Sequence, residues 1–275
     1  MSYSLFRSMH GVKLGGSHIL AKSSRSIKAQ LSTTSPIDSG ISAVPLRRGF
    51  AEVSTIFIAA ASMLAGAALA FKYSPIDLIA LMQPKLPEAG SLEEAQYIEK
   101  IEAQLQSSPV VKELRKTPGF NERRMWSNLS QSVQDSSFLA GSCKGVGKFA
   151  VPGIVFVSRD SNQVVSVVHV GSRLCGFPGI VHGGLLAAIL DECLARAAIL
   201  PLPGHSAVTA NLTINYRAPT FADQLLVIES HVTENTDKKS LVSAEIRSPQ
   251  GVLLAESTGV FVVPKKYKLA SLVHM

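Results

Sequence analysis

The feature that most constrains the fold is a single long apolar helix pattern set among strands. It lies within "GFPGIVHGGLLAAILDECLARAAIL", Gly176 to Leu200. Two β-branched runs precede it, "KFAVPGIVFVSRD" and "NQVVSVVHVG", separated by the turn-prone Asp160-Ser161-Asn162. Four more follow it: "SAVTANLTINY", "QLLVIESHVTEN", "KSLVSAEIRS" and "GVLLAESTGVFVV". Asp237-Lys238-Lys239 and Pro249-Gln250-Gly251 supply hairpin turns between the last of these. This order predicts an α+β domain whose final four strands form an antiparallel meander, with the lone helix over one face of the sheet. One helix leaves other apolar surface uncovered, which a second copy of the chain would bury.

On a wheel of ~100° per residue, Leu186, Ile189, Leu190, Cys193 and Ala197 form a sheet-packing face. Gly184, Ala187, Ala188, Asp191, Ala195 and Ala198 form another, where small side chains leave the Asp191 carboxylate open to approach. Glu192 pairs with Arg196 at i+4, whereas Asp191 has no such partner within the helix. His182-Gly183-Gly184 falls at the helix start, where free N–H groups and a partial positive charge favour an oxygen that develops negative charge. Asp191 is nine residues beyond His182, ~13 Å along the axis, too far for both ends to serve one carbon. Two chains resolve this, the Gly-Gly end of one facing the carboxylate of the other. In "NLTINY" the apolar Leu212, Ile214 and Tyr216 alternate with Asn211, Thr213 and Asn215, giving a core face and a polar face.

"HGGLLAAILD" followed by "VTANLTINYRAP" closely resembles the hotdog-fold acyl-CoA thioesterases of the 4-hydroxybenzoyl-CoA and phenylacetate-pathway type, in particular their membrane-associated mitochondrial members. The resemblance covers about Phe138 to Pro264 and implies a curled antiparallel sheet wrapped around one central helix, with active sites at a dimer interface. It assigns Asp191 as general base or nucleophile and the Gly183 N–H as oxyanion donor. His182 becomes the residue that orients the helix start, and Thr209 a hydroxyl that helps place the attacking water. Gly184, Asn211, Arg217, Lys238 and Lys239 are candidates for holding the substrate, the three basic residues through the CoA phosphates. Some relatives carry an Asn six residues before the motif's His; this chain has Gly176 there, so that donor is missing or replaced by backbone.

The implied reaction is hydrolysis of acyl-CoA to fatty acid and CoA, with no metal and no cofactor beyond the CoA of the substrate. Two other readings are a hydratase or dehydratase of the same fold and a non-catalytic scaffold that binds acyl-CoA or protein. The former needs a catalytic histidine paired with a carboxylate, and neither His169 nor His205 sits at a spacing that provides one. "GSCKGVGKF" lacks the glycine and the hydroxyl residue of a phosphate-binding loop. Cys143, Cys175 and Cys193 match neither a disulfide framework nor a zinc site.

The preceding sequence carries an address. Residues 1–50 hold seven basic groups and one acid, which accounts for nearly all of the chain's net charge of +7. The charge thus gives no support to nucleic-acid binding. The leader has the serine-rich, arginine-rich composition of a mitochondrial transit peptide, and "RRGFAE" resembles a processing site with cleavage after Phe50. Residues 53–71, nineteen without formal charge, would extend ~28 Å as a helix and are expected to cross a membrane once. Residues 72–136 read as linker and helical stalk, with Ser91 and Glu94 as a capping box and a second short helix over Val110 to Lys116. Residues 137–265 are the hotdog domain and 266–275 a tail. Expected partners are acyl-CoA, the membrane (the mitochondrial inner membrane) and a second copy, as a homodimer or dimer of dimers.

Overall fold

The computed structural model describes residues 58–59, 61–68 and 85–264. The chain divides into two units, Met1–Pro75 and Ile76–Met275. In the first, residues 58–59 and 61–68 are helical and exposed, and the Ser62 hydroxyl donates to the Ile58 carbonyl. Among the described residues no helix is long and apolar enough to cross a membrane. The rest of the expected span 53–71 lies outside the described residues, as do the expected transit peptide and its cleavage site and the tail 266–275.

The described part of the second unit contains, in chain order, first α1 (Leu92–Ser107) and α2 (Pro109–Lys116). The Ser91 hydroxyl accepts from the Glu94 amide as the capping box requires, but Glu94 reaches back to the Gly90 N–H rather than to that of Ser91. The Ser91 amide is already held by the Glu88 carbonyl. Ile101 and Leu105 of α1 are buried, while Leu92, its first residue, is 72% exposed. A seven-stranded sheet follows, built from β1 (Phe120–Arg124), β2 (Ile154–Ser158), β3 (Gln163–Val170), β6 (Val208–Tyr216), β7 (Gln224–Asn235), β8 (Lys239–Arg247) and β9 (Leu253–Val262). A two-stranded ribbon, β4 (Cys175–Phe177) and β5 (Ile180–Val181), precedes the central helix. A short helix, α3 (Gln131–Ser136), sits between β1 and β2.

The strand order is β1-β2-β3-β7-β8-β9-β6, with every named pair antiparallel. The expected four-strand meander is therefore corrected: only β7, β8 and β9 form one, and β6 joins the far edge beside β9. The reason is topological. A strand has two edges, and those of β7 are taken by β3 and β8, which leaves β6 the open side of β9. The sheet also takes in β1 from the segment read as stalk, and the adjoining Met125 and Trp126 belong to the core.

The central helix, α4 (Gly183–Ile199), buries Leu186, Ile189, Leu190, Cys193 and Ala197 as its pattern requires, each fully buried Leu or Ile contributing about 1.5–3 kcal/mol. It packs against β3, β6, β7, β8 and β9. Both Gly183 near its start and Asp191 at its middle bond to β6, so the helix runs along the strands rather than across them. Five neighbouring strands at ~4.8 Å spacing reach one helix of ~10 Å diameter only if the sheet wraps around it. Glu192 and Arg196 pair as expected, and Glu192 also accepts from the Trp126 indole at 2.7 Å, which gives it a structural role.

Candidate active site

The helix start is organised by side chains. Pro178-Gly179 turns β4 back into β5, with Gly179 in the left-handed region that glycine tolerates (φ 78°). The turn delivers His182 to the cap of α4, with extended backbone (φ −61°, ψ 129°). Its Nδ1 accepts from the Gly184 N–H at 2.9 Å, which puts the neutral ring's proton on Nε2. A side chain at Gly176 would meet this ring: a Cβ there would lie 2.8 Å from His182 Cδ2. Where the motif of some relatives has an Asn donor, this chain has the space that seats the capping imidazole.

Capping sorts the free amides. The Leu185 and Leu186 N–H groups return to the His182 carbonyl, and that of Gly184 is taken by the imidazole. Among the described residues, the Gly183 N–H alone in this first turn has no protein acceptor. At Gly184, one of the residues expected to hold substrate, the adjacent histidine satisfies the amide donor.

Asp191, half-buried at the middle of α4, accepts from the Thr209 hydroxyl at 2.8 Å. Simple alternation from Leu212, Ile214 and Tyr216 would place Thr209 on the opposite face of β6. A bulge prevents this. Asn211 pairs with Val260 and Thr209 with Phe261, so Ala210 is an extra residue that the partner strand does not match. Thr209 thereby joins the row opposite Ala255, Ser257, Gly259 and Phe261, the buried helix-facing side of β9. Asn211 stays on the outer face, its amide oxygen accepting from Thr213 at 3.3 Å, so the structure separates it from Asp191.

The basic candidates divide between the two ends. Arg217 follows β6 at the Gly183 end and is ion-paired with Glu256, whose carboxyl that hydrogen bond holds below its ordinary range. It is thus a paired cation rather than a free one. Lys238 and Lys239 are exposed at the β7–β8 turn. Lys239 pairs with Val262, which pairs with Val208, two strand spacings (~10 Å) from the Thr209 end of β6.

Tyr216 is the site residue that sequence reasoning missed. Read as part of the core face, it is 52% exposed, and its hydroxyl donates to the Gly183 carbonyl at 2.8 Å. No spacing rule announces such a contact across 33 residues. The histidines considered for dehydration chemistry stand elsewhere. His169 is 1% exposed and alternates with Val168 and Val170, which line the α4 core, so it faces the other side of the sheet. His205 contacts the Ile199 carbonyl through Nδ1 at 3.2 Å. Among the described residues no group of three or more His, Cys, Asp and Glu could hold a metal ion. Burial pushes the Cys193 thiol up to about 11, so it is no nucleophile at neutral pH.

An antiparallel sheet wrapped around one central helix defines a thioesterase-like fold. The chain belongs to the thioesterase superfamily, whose profile matches residues 178–255. An uncharacterised protein of Schizosaccharomyces pombe is 34% identical over 118 residues, 42% of this chain and 67% of that one. The acyl-coenzyme A thioesterase THEM4 of Bos taurus is 31% identical over 110 residues, 40% of this chain and 44% of that protein. An uncharacterised mitochondrial membrane protein of Saccharomyces cerevisiae, FMP10, is 25% identical over 177 residues, 64% and 70% respectively.

Proposed function

We propose that this chain hydrolyses acyl-CoA thioesters to fatty acid and CoA, in a site shared between two copies. The observation that carries the reading is the Asp191 carboxylate, open among alanines and held by the Thr209 hydroxyl at 2.8 Å. The family and the activity named for THEM4 support it. A water placed by Asp191 attacks the thioester carbon and passes its proton to the carboxylate. Charge that develops on the carbonyl oxygen meets the Gly183 N–H of the partner subunit. Collapse breaks the C–S bond, and the departing thiolate takes up the proton to leave as CoA. Pairing the Gly183 end of one chain with the Asp191 end of the other also brings Lys238 and Lys239 toward the mouth, where they would meet the CoA phosphates. Arg217 does so only by leaving Glu256.

The enzyme is placed in mitochondria, anchored in the inner membrane by one crossing at 53–71. Support comes from the leader's composition, the uncharged nineteen-residue run and the relative FMP10. The test is hydrolysis of acyl-CoAs of graded chain length by the purified protein and by Asp191→Asn. We expect kcat to fall by about 10²–10⁴. Equal rates would remove Asp191 from the mechanism. No hydrolysis at any chain length by the unaltered protein would favour an acyl-CoA-binding scaffold.

A further inference from the structure

One peptide unit at the head of α4 is held at both ends. The N–H of the Gly183–Gly184 peptide donates to His182 Nδ1 at 2.9 Å, and its C=O accepts from Tyr216 Oη at 2.8 Å. The ring of Tyr216 also lies along Gly183: a Cβ there would sit 3.6 Å from both Cζ and Oη. The phenol is half in water on an edge strand, so burial of its ring does not explain its placement.

Glycine loses more conformational freedom on folding than any other residue, and two in succession at a helix start leave that turn the least constrained of the helix. The unsatisfied Gly183 N–H shares its Cα with the pinned peptide. Fixing the plane on one side of this Cα limits how far the N–H on the other side can swing. His182 grips one end of the plane from within the helix cap, and Tyr216 grips the other from β6.

We propose that Tyr216 is a positioning residue: through its hydroxyl it aims the Gly183 amide at the reacting carbonyl oxygen. This rests on the hydrolytic reading above. In that reading β6 places a hydroxyl on each working end of α4, Thr209 on Asp191 and Tyr216 on the Gly183 peptide.

The test compares the full-length protein with Tyr216→Phe, His182→Ala and the double variant. Tyr216→Phe should lower kcat by roughly 10- to 100-fold, the loss that small misalignment of a reacting group produces. KM and the thermal midpoint should stay near those of the unaltered protein. Because both side chains hold one peptide, the double variant should lose little more than the worse single. Wild-type kcat in Tyr216→Phe, losses that multiply, or a raised KM at constant kcat would each overturn the assignment. A second readout needs no turnover: hydrogen exchange of the peptide containing Gly183 and Gly184 should accelerate in Tyr216→Phe. If the unaltered protein hydrolyses nothing, the functional reading falls, and exchange still decides whether Tyr216 holds this turn. Unchanged exchange would overturn that too.

Discussion

Replacing Gly183 by proline would remove one hydrogen-bond donor and little else. Gly183 is the first residue of α4, where proline's fixed φ is already helical and its missing N–H would have had no helical partner. The preceding His182 has the extended backbone that a following proline demands. Alanine adds only a Cβ at ordinary contact distance from Tyr216 and keeps the donor. Gly183→Ala should therefore hydrolyse acyl-CoA at close to the normal rate. Gly183→Pro should lose about 10²–10³ in kcat with its helix intact by circular dichroism. Equal activity in both would show that the Gly183 amide does not stabilise the transition state. At this scale the sequence placed Gly183 at the helix start and Asp191 within the helix, because an acid among alanines and a glycine pair at a helix start are local patterns. It was silent about Tyr216 and about the loss of the Gly184 donor, since both depend on where side chains far apart in sequence, or free to rotate, come to rest.

Among the elements, β3 is enclosed on both faces, by α4 on one side and by α1 on the other, and seven of its eight residues are buried. Its His169 has no hydrogen-bond partner at Nδ1, and burial lowers its pKa from 6.5 to about 4. The folded chain thus holds the neutral ring, while the unfolded chain takes up a proton as pH falls below 6.5. This contribution to stability is complete above 6.5 and declines between 6.5 and about 4. By about pH 5 the loss should reach about 2 kcal/mol. His169→Leu should be less sensitive to acid by that amount when urea unfolding is compared at about pH 7 and about pH 5. Matching slopes would mean that the ring reaches water or a partner. β-Branched runs and turn residues located the core strands after residue 150, yet alternation extended back from Leu212 would put Thr209 on the wrong face, because one bulged residue, Ala210, resets the count. It also missed β1, whose "FNERR" has no apolar alternation and is a strand because β2 offers it an edge.

For the whole molecule, the decisive quantity is the distance from Gly183 to Asp191. Eight helical residues separate them by ~12 Å, and no rearrangement within one intact helix shortens that. A site that uses both must draw them from different chains, and β6 offers the means: it ends the sheet order, with Val208 and Tyr216 exposed along a nine-residue edge. Two-fold pairing would create two equivalent sites, each with one Gly183 and the other chain's Asp191. Mixing two inactive variants then discriminates sharply. In a hybrid of Asp191→Asn with Gly183→Pro, one site carries both lesions and the other carries neither. Random reassociation makes half of the dimers hybrids, so activity should return to about a quarter of the unaltered level. If each chain worked alone, or if both groups came from the same chain, the mixture would stay as inactive as its components. Recovery on mixing is therefore a property that only a shared site possesses.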